Sequence, residues 1–158
     1  QVQSLNLRSM KRIYTLVFAS FLLFNCTSDE KRLEMQMDAI LEWIDESGLE
    51  FTASGSGLYY HVEQAGHPNR IPHSTNEVSF KHVGYLLDSS IFSNGWYASN
   101  YIPLPALVEG FQEGLKIVGE GGRAVIIFPS TLGYGDNERA TIPAYSPLIF
   151  RVELVSYY

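Results

Sequence analysis

The sequence predicts an α+β fold: a twisted antiparallel β-sheet half-wrapped around one short α-helix, with a further amphipathic helix near the N-terminus. Three observations lead there. Leu107 to Tyr134 (L-V-E-G-F-Q-E-G-L-K-I-V-G-E-G-G-R-A-V-I-I-F-P-S-T-L-G-Y) holds a helical pattern too short to stand alone in water, followed at once by an apolar, β-branched run. Val78 to Leu87 and Leu148 to Tyr157 alternate apolar and polar residues at the two-residue period of strands. Asp29 to Ser47 places Leu33, Met37, Ile40, Leu41 and Ile44 on one stripe at helical spacing, with Trp43 beside it. A helix as short as the first must lie on a sheet, and a sheet curled over it leaves an apolar hollow between the two.

The chain has 158 residues, of which 46% are hydrophobic and 13% aromatic. That length suits one domain with a substantial core, and that composition is globular rather than disordered. A net charge of −6 argues against a nucleic-acid partner, which a basic patch would announce.

Residues 1–25 read as a bacterial lipoprotein signal peptide. Met10-Lys11-Arg12 supplies an expected start and a basic region, so that Gln1 to Ser9 precede the start. Ile13 to Phe24 is an apolar stretch of about a dozen residues, too short to span a bilayer as a helix. It ends in L-L-F-N-C, which resembles a lipobox and makes Cys26 the expected lipidation site. Cys26 is the only cysteine, so an intrachain disulfide is ruled out; its other reading is a buried free thiol. The expected location is the cell envelope, lipid-anchored, at the outer membrane or facing the periplasm. The region removed carries bases and no acid, so the remaining chain is more acidic still, and the lipid rather than the protein surface would hold it to a membrane. Asp29-Glu30 reads either as a surface-export signal or as a solvated tether.

The remainder divides into a tether and helix over 26–56 and a folded domain over 57–158. The helix from Asp29 to Ser47 stops at Gly48. Its stripe has two uses: as an arm for a homodimer or for clients, or as a face packed on its own domain. Thr52 to Gly57 (T-A-S-G-S-G) reads as a flexible linker. Leu58 to Gln64 is the first strand and Ala65 to Glu77 a loop. His61, His67 and His73 do not match a ligand pattern and no cysteine lies near, so no metal is expected. In the strand from Val78, the alternation puts Val78, Phe80 and His82 on one face and Ser79, Lys81 and Val83 on the other. Asp88-Ser89-Ser90 turns the chain. Ile91 to Ala106 is aromatic-rich (Phe92, Trp96, Tyr97, Tyr101) and broken by Asn94-Gly95, Pro103 and Pro105, which predicts short strand pieces and a bulge. Val108 to Val118 is the short helix, with Phe111, Leu115 and Val118 on its apolar side. Gly119, Gly121 and Gly122 break it by supplying positive φ angles. Arg123 to Phe128 is a strand, Pro129 ends its pairing, and a loop carries Tyr134 between two glycines. Leu148 to Tyr157 closes the sheet.

The words V-E-G-F-Q-E-G-L, V-G-E-G-G-R-A-V-I-I-F-P with L-G-Y-G, V-S-F-K-H-V-G-Y-L-L-D, and I-P-A-Y-S-P-L-I-F-R-V-E-L resemble the FKBP-type peptidyl-prolyl cis-trans isomerases, over roughly Gly57 to Tyr158. Among these the chain looks most like the lipoprotein isomerases associated with gliding motility. The resemblance implies a proline pocket. Phe92 and Phe150 would wall it, and Phe111 would floor it where the family has a tryptophan. The backbone N–H of Val108 would hold a carbonyl, the Tyr134 hydroxyl would donate to the ligand, and Ile142 would cover the pocket. Leu107 and either Tyr97 or Tyr101 would add to the substrate-binding surface. Two further positions depart from the family's pattern: His82 stands for a tyrosine and Ser93 for an aspartate. The serine removes an acceptor from the polar edge. The histidine is expected to make the pocket wetter and pH-sensitive near its reference pKa of about 6.5.

Prolyl isomerisation requires no nucleophile, metal or cofactor, and none is expected here. It requires an apolar, aromatic-walled socket and a few donors, and this chain has the materials for both. The leading reading is therefore an isomerase acting on proline-containing exported clients. The alternatives are a client-binding module that has lost turnover, favoured by His82 and Ser93, and a structural subunit of an envelope complex.

Overall fold

The computed structural model describes residues 28–96 and 101–158; the signal-peptide region, Cys26 and Tyr97 lie outside them. The chain divides into two units, Gln1–Met35 and Gln36–Tyr158. In the first, the described residues are helical, with Arg32 Nη1 2.9 Å from Asp29 Oδ1 in an exposed pair of little energetic weight. Helix α1 covers residues 28–47 and ends at Gly48, whose φ of +66° is the left-handed stop the sequence predicts.

The second unit is built on one antiparallel sheet. Its strands are β1 (Thr52–Ala53), β2 (Tyr59–Gln64), β3 (Glu77–Tyr85), β4 (Ile91–Trp96), β5 (Ile102–Pro103), β6 (Arg123–Phe128) and β7 (Leu148–Tyr157). The order across the sheet is β1-β2-β6-β7-β3-β4, with β5 pairing with β3. Helix α2 (Glu109–Leu115) buries Phe111 and Leu115. With the expected strands present and α2 against the sheet, the architecture is the predicted α+β one.

β6 shows why its sequence is apolar without alternation: both of its faces are covered. Ala124, Ile126 and Phe128 enter the main core with Phe80, Phe111, Leu115, Leu148, Phe150 and Val152. Val125 and Ile127 point the opposite way and join Ile40, Ile149, Trp43 and Ile44 in a second cluster. The stripe of the N-terminal helix is thus in part used on the chain's own sheet: Ile40 is fully buried, while Leu41 is 47% exposed. Gln36 adds a polar tie, its Oε1 accepting from the Ser130 backbone N–H at 2.8 Å, with both residues buried. Losing that acceptor would strand a buried donor, at a cost of about 1–3 kcal/mol.

Four expectations need correction. Thr52 to Gly57 is not a linker. Thr52 and Ala53 pair with Tyr60 and Tyr59, and the turn between is closed by Ser54 N–H donating to Leu58 O at 2.9 Å. Strict alternation fails at Ser79, which is fully buried; the register slips from Ser79↔Ser156 to Phe80↔Leu154, leaving Val155 as an extra residue on β7. Of the three glycines after α2, only Gly121 has positive φ, at +79°. Gly119 and Gly122 are required by close approach instead: a Cβ at either would run into backbone oxygens, of His67 for the first and of Gly119 and Ala65 for the second. The helix is also shorter than expected, with Lys116 as its C-cap.

α2 lies close to β6 because its glycines let it. A Cβ on Gly110 would sit 2.5 Å from Phe128 Cγ, the root of a fully buried ring that has nowhere to move. In an exposed helix, Gly→Ala stabilises by about 1 kcal/mol. Here the overpacking term of about 1–3 kcal/mol opposes and outweighs that gain. Gly110→Ala is therefore expected to lower the urea midpoint of unfolding; an unchanged or raised midpoint would show that the helix has room to lift.

Candidate functional site

Between α2 and the sheet lies a cavity of about 470 Å³. Its floor and walls are aromatic. Phe111, on the inner side of α2, meets Phe150 of β7 edge-on, with centroids 4.8 Å apart and planes at 88°, and Phe80 of β3 at 5.0 Å. Phe92 of β4 meets Phe150 edge-on at 5.3 Å. Such edge-to-face contacts set rings at right angles, so they make a box rather than a stack. Gly84 makes room for the corner: a Cβ there would lie 2.7 Å from Phe92 Cζ and 2.8 Å from Phe150 Cε1.

The rim comes from loops tied by their own hydrogen bonds. Leu107 and Val108 are extended, at φ −89°, ψ 160° and φ −64°, ψ 150°, and lead into α2. The Gln112 side chain reaches back to hold them, its Nε2 donating to Leu107 O at 2.7 Å. Val108 is the N-cap, and its carbonyl accepts from the N–H groups of Phe111 and Gln112, each at 3.0 Å. Tyr134 follows the 3₁₀ turn Ser130–Leu132 and is bracketed by Gly133 and Gly135, both of whose N–H groups donate to Ser130 O. Gly135 has φ +61°, a conformation that suits glycine. Ile142 is buried and paired with Arg139 through two backbone bonds of 2.9 Å, which close a tight turn over the cavity.

The structure thus brings Phe92, Val108, Phe111, Tyr134, Ile142, Phe150, His82, Ser93 and Leu107 to one cavity. It does not bring Tyr101 there. That ring packs on Tyr158, with centroids at 4.5 Å, and its hydroxyl lies 2.9 Å from Ser156 Oγ. Sequence reasoning missed Phe80, Ile102, Ala106 and the turn residues Arg139, Ala140 and Thr141, which also line the cavity. Phe80 was legible as a core-facing residue but carried no sign of reaching the pocket. Arg139 had no periodicity to mark it. Of the loop and strand histidines, His61 Nδ1 lies 2.8 Å from Glu50 O, and His67 Nδ1 accepts from Asn69 N–H at 3.3 Å.

Two of the three departures from the family pattern, His82 and Ser93, touch each other. His82 Nε2 lies 2.7 Å from Ser93 Oγ, across diagonal positions of the β3–β4 pair, where His82 is opposite Gly95 and Gly84 opposite Ser93. Ser93 therefore restores a partner at the polar edge. The pocket wall is also drier than expected: His82 is only 8% exposed and lies among Phe80, Phe111 and Phe150. Burial holds its imidazole below the ordinary value of 6.5, since the charged form loses its water there.

A pH dependence follows with a definite sign. The unfolded chain binds a proton at His82 before the folded one does. This group therefore leaves stability unchanged above about pH 6.5 and reduces it as pH falls from there toward the lower folded pKa. The stability difference between the native protein and His82→Gln is expected to shift in favour of the variant between about pH 7.5 and about pH 5 in urea titrations. A difference that stays constant over that range would mean His82 titrates alike in both states.

Comparison with known proteins identifies the family and the fold. Residues 69–155, more than half of the chain, match the FKBP-type peptidyl-prolyl cis-trans isomerase family. The chain is 35% identical over 104 residues to the FKBP-type peptidyl-prolyl cis-trans isomerase FkpA of Buchnera aphidicola subsp. Schizaphis graminum, covering 65% of this chain and 41% of that protein. It is 33% identical over 104 residues to FkpA of Escherichia coli K12, covering 65% and 38%. Against a probable FKBP-type isomerase of Haemophilus influenzae it is 32% identical over 111 residues, covering 68% and 46%. It thus spans less than half the length of these relatives. Among solved structures, E. coli FkpA superposes with a TM-score of 0.68 at 24% identity, over 98% of this chain and 74% of that one. A Pseudomonas syringae pv. tomato peptidyl-prolyl isomerase gives 0.66 at 20%, over 81% and 94%. The chain belongs to the FKBP-type peptidyl-prolyl cis-trans isomerase family.

Proposed function

We propose that this chain catalyses peptidyl-prolyl cis-trans isomerisation in the cavity between α2 and the sheet. The observation that carries the reading is the convergence of Phe92, Phe111, Phe150, Val108, Tyr134 and Ile142 on one aromatic-walled cavity. The barrier to be lowered is about 18–20 kcal/mol, set by the partial double bond of the amide. No bond to carbon needs to form. The proline ring enters the box over Phe111, and the apolar walls strip water from the amide. A carbonyl next to the proline accepts from the N–H of Val108, held in place through Leu107 by Gln112. The Tyr134 hydroxyl supplies a second donor. A box that grips the twisted amide better than either planar form lowers the barrier by that difference.

In the wider setting, the protein is read as an envelope lipoprotein held by acyl chains on Cys26, acting on exported proline-containing chains. That placement rests on the L-L-F-N-C word and the basic and apolar segments before it. Among the described residues, no helix is long and apolar enough to cross a membrane. A homodimer through the 29–47 helix is the proposed use of whatever part of its stripe stays exposed; light scattering that finds a strict monomer across a concentration series would rule it out. The second functional reading, a client-binding module with little turnover, is favoured by one observation: His82 and Ser93 replace the residues the family uses at the polar edge.

The test is isomerisation of short Xaa-Pro peptides by a fragment of residues 27–158. Catalysis above the spontaneous rate is expected. Tyr134→Phe removes one donor and is expected to lower kcat/KM by about five- to tenfold, the worth of one hydrogen bond. Phe150→Leu keeps an apolar side chain but opens the back wall and is expected to lower it further. A folded fragment with no catalysis would overturn the isomerase reading in favour of the binding module.

A further inference from the structure

We propose that Arg139 makes this pocket select prolines flanked by an acidic residue, Asp or Glu, in the substrate chain. The inference rests on the isomerase reading and adds its substrate class. Among the described residues lining the cavity, Arg139 is the one side chain with a permanent charge, and no carboxylate accompanies it there. The rest of the lining is apolar or carries neutral hydroxyls, apart from the buried imidazole of His82.

Arg139 is also placed to act on whatever the box holds. Its guanidinium lies over the Tyr134 ring, 5.2 Å from the centroid, beside the phenol assigned to the substrate. Its backbone is closed into a turn with Ile142 by two bonds of 2.9 Å, so the side chain springs from a fixed base at the rim. The ion pairs among the described residues engage Arg32, Arg70, Lys81 and Arg151. Arg139 forms none of them, although Asp136 and Glu138 are close in sequence; Asp136 Oδ1 instead accepts from Asn137 Nδ2 at 3.2 Å. A guanidinium resting on a ring keeps its in-plane N–H donors available, and their fork fits a carboxylate. The chain's net charge of −6 gives no general attraction for acidic peptides, so a preference for them must arise locally.

The experiment compares peptides carrying Glu, Gln or Lys immediately before the proline, and a second set carrying them immediately after it. For the native protein, kcat/KM for Glu is expected to exceed that for Gln by about two- to fivefold in one of the sets, the range of an exposed ion pair. Lys is expected to fall below Gln in the same set. The Glu-to-Gln ratio is expected to collapse to unity in Arg139→Gln, to persist in Arg139→Lys, and to turn toward Lys in Arg139→Glu. Equal turnover of Glu and Gln peptides in both sets would overturn the proposal without any variant, and so would a preference that survives Arg139→Gln. Turnover of none of the peptides would instead defeat the isomerase reading, and this inference with it; turnover without preference defeats the inference alone.

Discussion

Phe150 meets Phe111 and Phe92 edge-on, at 4.8 Å and 5.3 Å, and lies nearly parallel to Phe128 at 5.9 Å. One ring therefore belongs both to the core and to the cavity wall. Because it is 4% exposed, its position is set by packing rather than by anything the pocket holds. The pocket is accordingly preorganised: its back wall cannot shift without disturbing Phe128, and Phe128 fixes how near α2 may come through Gly110. Removing so central a ring entirely would cost about 3–5 kcal/mol, which is why a leucine is the informative replacement.

The sheet carries this arrangement because it is covered on both sides. The inner residues of β6 pack under α2, while Val125 and Ile127 pack with Ile40, Trp43 and Ile44 of α1. Gln36 then ties α1 to Ser130, whose carbonyl also holds the N–H groups on either side of Tyr134. A residue far from the cavity thereby supports the loop that presents its phenol. At the opposite edge, β3 and β4 hold His82 against Ser93. Two substitutions that look like separate losses when compared with the family pattern form one hydrogen-bonded pair in the fold.

Much of this was legible in the sequence, and for physical reasons. β6 and β7 have strong strand patterns, and the short helix demanded a sheet to lie on. The pocket residues Phe111, Tyr134, Ile142 and Phe150 stood inside recognisable words. What escaped notice depended on register or on close approach. The contact between His82 and Ser93 follows from a diagonal across a hairpin; the bulge expected within Ile91 to Ala106 falls at Phe92, opposite the step from Gly84 to Tyr85, and no residue pattern fixed that register. Thr52–Ala53 is too short to show a period, and its small polar neighbours suit a tight turn as well as a linker. Gly119 and Gly122 signalled positive φ by habit, whereas their reason is the backbone of His67 and Ala65. Tyr101 was drawn to the pocket because an aromatic was wanted there; its partner Tyr158 lies at the far end of the chain.

The central claim is that a proline-containing segment binds inside the aromatic box between α2 and the sheet. Amide chemical-shift mapping with a short Xaa-Pro peptide tests it most directly, because it reports where the ligand sits whether or not turnover occurs. The account predicts the largest shifts at Val108, Ser93, Tyr134 and Ile142, with Val125, Ile127 and Ile149 on the opposite face little changed. Shifts centred on that opposite face or on α1, with the box unaffected, would contradict it.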